Sequence, residues 1–208
     1  MARKLSVPGA GSCSSDGEDA KVDLQSGRQN VAMPNFLESD WDDDQHEPPF
    51  TWRRARLGRE AGSEKLGVSL FEVPPGASTF PFHLHHANEE LLVVVAGRPT
   101  LRTLEGEREL QSGDVVAFPT GRRGAHRLDN RTEEPVRVLF VSTMLAPEVN
   151  EYPDSGKVWA RSYAPGAEPG TEEAFVIARP EENLDYFEGE QGRGALGSSI
   201  HAHPPDGG

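Results

Sequence analysis

Apolar and polar positions alternate through the middle of the chain in short runs, each closed by turn-forming residues. Residues 66–73 (LGVSLFEV), 91–96 (LLVVVA) and 136–143 (VRVLFVST) are the strongest of these runs. Their β-branched and aromatic content and their length fit strands rather than helices. Pro74, Pro75 and Gly76 end the first run, and Gly97 leads from the second into 100–104. Glu105 and Gly106 mark a hairpin into 108–110, and Gly113 turns the chain into 114–118. With 125–129, and with 50–56 as an outer strand, the series predicts an all-β sandwich or barrel, uninterrupted by any amphipathic helix. Two further strands are expected at 158–162 and 174–177, followed by a last apolar cluster of Leu184, Tyr186 and Phe187. Because 91–96 is apolar on both faces, its outer face needs a cover. The C-terminal strands or a second subunit can supply it, and a homodimer is the expectation.

The two ends read differently. Residues 1–33 and 191–208 are dominated by small and polar side chains, too poor in large apolar groups to offset the entropy of ordering. The organisation that follows is a disordered tail at 1–33, a lead-in with the outer strand at 34–65, a single barrel at 66–145, a strand extension at 146–190 and a disordered tail at 191–208. Asp42, Asp43 and Asp44 lack the spacing and glycine of a calcium loop and read as a solvated turn, with His46 a bystander. The net charge of −13 disfavours nucleic acid and anionic membranes as partners, since both call for a basic surface. Cys13 is the lone cysteine, so no intramolecular disulfide can form. No apolar signal core and no run of about 20 apolar residues is present, and a cytoplasmic protein is the expectation.

Candidate chemistry concentrates in residues 76–97. His83 and His85 are two apart, which in an extended strand puts both imidazoles on one face. Glu90, at the head of the next strand, can reach the same point, although Glu89 competes with it for that role. His126 is a fourth candidate donor, and His86 points away from His85. Three imidazoles and one carboxylate suit a first-row divalent metal, iron, manganese, nickel, cobalt or zinc, and leave about two positions open in an octahedral shell.

These residues also fall on a two-part motif. Gly76, His83, His85, Glu90 and Gly97 follow the first half of the cupin signature with one extra residue after Gly76. Gly113, Pro119, Gly121, His126 and Asn130 follow the second half, with a gap before His126 two residues longer than the family's. The chain therefore resembles the cupin superfamily, in particular small single-domain bacterial cupins of the conserved-barrel type. The resemblance implies a double-stranded β-helix, a jelly-roll barrel with one divalent metal held by His83, His85, Glu90 and His126. Cupins of this kind act on or bind small molecules. A mononuclear metal-dependent oxidoreductase of dioxygenase type is the first expectation, with a sugar isomerase or epimerase and a non-catalytic ligand-binding module as alternatives. Arg122 and Arg123 are candidates to clamp an acidic substrate at the barrel mouth but equally fit a solvated turn, and the facing of Arg102 and Arg127 depends on register. Residues 152–157 resemble a segment of the same bacterial subgroup, and their Gly156-Lys157 lacks the upstream glycines of a phosphate loop. His201 and His203 lie in the C-terminal tail without a carboxylate or strand beside them.

Overall fold

The structure, a computed structural model, describes residues 33–165, 175–180 and 187–189. The two predicted tails, with Cys13, His201 and His203, lie outside the described residues apart from Met33, as do Leu184 and Tyr186. The described residues form thirteen strands: β1 (Asp43–Glu47), β2 (Phe50–Ala55), β3 (Leu66–Val73), β4 (Leu84–His85), β5 (Glu90–Ala96), β6 (Thr100–Thr103), β7 (Gly106–Glu109), β8 (Val115–Phe118), β9 (His126–Asp129), β10 (Val136–Thr143), β11 (Glu148–Tyr152), β12 (Lys157–Arg161) and β13 (Phe175–Ala178). They assemble as three antiparallel sheets in the orders β1-β2-β3-β10-β5-β8, β13-β12-β11-β4 and β7-β6-β9. This is the all-β architecture that the alternation predicts, in the jelly-roll form that the resemblance implies.

The centre of the large sheet is fixed by pattern. β3 and β10 pair over their whole length, from Val136 opposite Val73 to Thr143 opposite Leu66. Every second residue of β10 is buried, which a one-residue slip would reverse. Phe71, Leu92, Val94, Leu101, Phe118 and Phe140 meet inside the barrel. Burying side chains of this size contributes roughly 1.5–3 kcal/mol each, against the entropy of ordering them. Single bridges link the sheets: Ser78 pairs with both Phe50 and Asp129, and His83 pairs with His126.

The structure corrects the sequence reading at several places. The acidic run is not a free turn: Asp43–Glu47 is an edge strand, and the Asp43 carboxylate accepts from Arg54 Nε and Arg56 Nε, each at 2.9 Å. Those two arginines convert a run of like charge into a sheet edge. A one-turn helix, α1 (Leu57–Glu60), follows β2 where no helix was expected. It is too short to carry a periodic pattern and is fixed by burial of Leu57 rather than by propensity. β11 was not expected as a strand either. The histidine stretch is strand only at Leu84–His85. On the outer face of β5, Val95 packs with Trp41, Leu57 and Leu70, so the lead-in covers part of that face. Among the described residues no helix is long and apolar enough to cross a membrane.

Candidate metal centre

Four side chains converge because three backbone segments meet. His83 and His126 are direct cross-chain neighbours, with His83 N donating to the His126 carbonyl at 3.2 Å and His126 N to the His83 carbonyl at 2.9 Å. Their ring centroids are 4.7 Å apart. His85 sits on β4 with its ring on the same side as that of His83, as two-residue spacing requires, and their Nε2 atoms are 3.1 Å apart. Glu90 opens β5, and its Oε2 lies 3.4 Å from His85 Nε2 and 3.3 Å from His126 Nε2. One ligand atom from each of His83, Glu90 and His126 falls within 4.8 Å of the other two.

The extra residues before His126 do not misdirect it. Arg122–Gly124 forms a 3₁₀ turn that takes up the longer gap, and the Gly124 carbonyl accepts from His126 Nδ1 at 2.8 Å. Phe118 stacks on the imidazole at 3.8 Å between centroids and 6° between planes. His126 is 1% exposed, so its orientation is set entirely by protein.

The outer nitrogens of the three rings are all anchored. His83 Nδ1 lies 2.9 Å from the Pro81 carbonyl, His126 Nδ1 is held by Gly124, and His85 Nδ1 lies 3.2 Å from Glu148 Oε2. Carbonyl oxygens only accept, so Nδ1 of His83 and of His126 carries a proton and the inner Nε2 is the atom left to bind a cation, while His85 Nδ1 stands between Glu148 Oε2 and the Asn150 amide nitrogen, 2.8 Å away. His126 Nε2 is buried and makes no hydrogen bond; its 3.3 Å contact with Glu90 is close but not aligned as one. Metal–donor lengths of about 2.0–2.2 Å would place adjacent donors roughly 3 Å apart, close to the spacings found here. The donor set therefore fits a first-row divalent cation.

The electrostatics agree with that fit. Burial, reinforced by His126 and His85, pushes His83 down to about 3, so it is neutral at physiological pH. Burial also acts against charge on His85, but Glu148 and Glu90 outweigh it and push His85 up to about 9. For Glu90, burial acts upward and is overcome by His126 and His85, which hold its carboxyl well below the usual range. Without a metal, the positive charge that the two carboxylates require is a proton on His85.

Glu148 is the residue that the sequence reading missed. It is fully buried and saturated: Oε1 accepts from the backbone of His86 at 3.2 Å, Ala87 at 3.1 Å and Val149 at 2.9 Å, while Oε2 takes His85 and Asn88. Its signal was a polar alternation, Glu148, Asn150 and Tyr152, which a search for apolar periodicity passes over. The other candidates lie elsewhere. Glu89 is exposed, and His86 pairs outward with Glu151 at 2.7 Å. Arg122 and Arg123 are exposed on the 3₁₀ turn. Arg102 binds Asp154 at 2.6 and 2.7 Å, and Arg127 binds Asp129. The Asp154 contact accounts for part of the segment at 152–157, whose Tyr152 ring lies 6.1 Å from that of His83.

His83, His85 and Glu90 stand in the wall of a cavity of about 530 Å³. Phe71, Phe80 and Phe140 form an aromatic side, and Ser142, Asn150 and Tyr152 contribute polar groups. Arginines reach it from the lead-in, Arg54 and Arg56, and from β12, Arg161.

Comparison with known proteins agrees with the barrel. The family model for the cupin domain matches residues 69–142. A structure titled as a putative sugar phosphate isomerase from Acidithiobacillus ferrooxidans is 25% identical, with a TM-score of 0.58, covering 66% of this chain and 83% of that one. A second, titled as a sugar phosphate isomerase from a cupin superfamily, from Silicibacter pomeroyi, is 28% identical with a TM-score of 0.56, covering 65% and 81%. No curated protein matches the chain. The strand order, the converging histidines and glutamate, and the match over 69–142 together make this part of the chain a cupin domain.

Proposed function

We propose that the protein is a metal-dependent isomerase acting on a small hydroxylated carbonyl compound of the sugar class. The observation that carries this reading is the placement of Ser142, Asn150 and Tyr152 in one cavity with His83, His85 and Glu90. Hydroxyl and amide groups of that kind suit a substrate with several oxygens. The two similar structures titled as sugar phosphate isomerases support the same class. His83, His85, Glu90 and His126 would hold the metal, and Glu148 orients His85. A divalent metal in this position supplies Lewis acidity toward a carbonyl and its neighbouring hydroxyl. Burial pushes the Tyr152 phenol upward, so it stays protonated at neutral pH and donates to a substrate oxygen. The aromatic side excludes water from the reacting face.

A second reading, a dioxygenase-type oxidoreductase, is favoured by that aromatic side and by a donor set that suits redox-active metals equally well. Reconstitution of the apo-protein with each of zinc, manganese, iron, nickel and cobalt separates the two. Sugar, keto-acid and phenolic substrates are screened while product and oxygen uptake are followed together. Isomerase chemistry predicts turnover with zinc and no oxygen uptake. Oxygen consumption with redox-active metals alone would replace it with the oxidoreductase reading, and saturable binding without turnover under any metal would leave a binding module.

A further inference from the structure

Arg161 is a buried cation with no ion pair to its side chain among the described residues. The residue is 6% exposed, its Nε is buried with no hydrogen-bond partner, and its side chain makes no hydrogen bond or ion pair among the described residues. Its guanidinium lies against two rings, 4.0 Å from the centroid of Trp159 and 5.9 Å from that of Tyr163. The Trp159 indole N–H is also buried and has no partner among the described residues. Such groups are costly to bury unless something pairs with them.

The nearest carboxylate cannot do so. Arg161 stands directly across from Glu148 in the β11–β12 register, and Trp159 across from Asn150. Every Glu148 oxygen is already taken by His85, Asn88 and three backbone amides. Period-two geometry keeps Trp159 and Arg161 on one face of β12, and both line the cavity that holds His83, His85 and Glu90. Burial pulls the Arg161 pKa down, opposed by Glu148, yet a guanidinium stays charged.

We infer that Arg161, with the Trp159 N–H, is the receptor for an oxyanion group, a carboxylate or a phosphate ester, carried by the substrate whose other end meets the histidine–glutamate cluster. The placement of that other end rests on the reading of the cluster as the reacting centre; the anion site itself does not. Arginine matches either group through paired donors, and a dry cavity strengthens the contact. The residue lies beyond the matched cupin region, so the C-terminal extension supplies the selectivity of the cavity.

The test compares equilibrium binding of a five-carbon aldose, its 5-phosphate and its aldonate, by calorimetry, to the full-length protein as purified and to a metal-poor His126→Ala variant. One or both anionic sugars should bind the wild type at least about tenfold more tightly than the neutral sugar. Which one binds identifies phosphate or carboxylate as the partner. Arg161→Gln should abolish the preference, and Arg161→Lys, which keeps the charge but not the fork, should retain part of it. Inorganic phosphate should raise the melting temperature of the wild type and of His126→Ala, but not that of Arg161→Gln. In phosphate-free buffer Arg161→Gln should melt no lower than the wild type, because an unpaired buried charge has been removed. Equal binding of all three sugars by the wild type, a preference that survives in Arg161→Gln, or a destabilised Arg161→Gln beside a phosphate-insensitive wild type would overturn the inference. Turnover does not enter these readouts, so anion binding without isomerisation would count against the proposed reaction alone.

Discussion

Replacing Gly124 by alanine tests whether the 3₁₀ turn aims His126. A Cβ built at Gly124 stands 1.9 Å from the Pro119 carbonyl oxygen and 2.9 Å from its carbon, where ordinary contact begins at 3.4 Å. Both are backbone atoms, so no side-chain rotation relieves the clash, and the turn or the end of β8 must move. The Gly124 carbonyl that anchors His126 Nδ1 at 2.8 Å moves with it. Overpacking of this kind costs roughly 1–3 kcal/mol, and a weakened anchoring hydrogen bond about 1 kcal/mol more. Disturbing an orienting partner of a ligand typically lowers metal affinity by about 10–100-fold. Gly121→Ala is the control: its φ of 77° strains any other residue, but nothing lies within 4 Å of the added Cβ. With ψ at −164° this is backbone that glycine alone adopts readily, and the Gly121 N–H donates to the His85 carbonyl at 2.7 Å, so that variant should lose about 1–3 kcal/mol with metal affinity falling less than in Gly124→Ala. Urea unfolding and competitive metal titration of both variants measure the two effects. Gly124→Ala with wild-type stability and affinity would refute the claim that this turn positions His126.

Glu148 is held down to about 2 from a normal 4.5, because its hydrogen bonds outweigh the burial that would raise it. A depressed folded-state pKa gives stability that is complete above the unfolded value and is lost as pH falls from about 4.5 toward 2, on the order of 3 kcal/mol. Urea denaturation across that window should therefore show a shallower acid slope in Glu148→Gln than in the wild type, and an unchanged slope would contradict the assignment. Phe118→Leu keeps most of the buried volume but loses the 3.8 Å stack on His126, so it should cost about 1–2 kcal/mol and weaken metal binding by several-fold. Unaltered metal affinity in a folded Phe118→Leu would mean that Gly124 alone holds the ring.

The strands that form the barrel were legible because their apolar alternation is itself the cause of their burial. Residues 66–73 and 136–143 were placed without error for that reason. His83, His85, Glu90 and His126 were legible as a set because spacing in a strand fixes facing, and a motif supplied the long-range meeting that spacing cannot. Glu148, Trp159 and Arg161 were not, since their roles depend on which strand lies opposite: a strand was expected at 158–162, but its partner β11 advertises itself by polar side chains. Asp43 was misread because its partners, Arg54 and Arg56, are eleven and thirteen residues away and only the β1–β2 pairing brings them within reach. The arginines of the cavity were hidden in the same way, while Arg122 and Arg123, adjacent in sequence to His126, face outward.

The central claim is that His83, His85, Glu90 and His126 hold one metal jointly. Elemental analysis of protein purified without a polyhistidine tag, for the wild type and for the single alanine variants at each position, tests it most directly when paired with circular dichroism. One divalent metal per chain is expected in the wild type, with occupancy collapsing in all four variants while the β-sheet spectrum persists. Full occupancy in His126→Ala or Glu90→Ala, or a wild type that retains no metal after incubation with zinc, manganese, iron, nickel or cobalt, would contradict it.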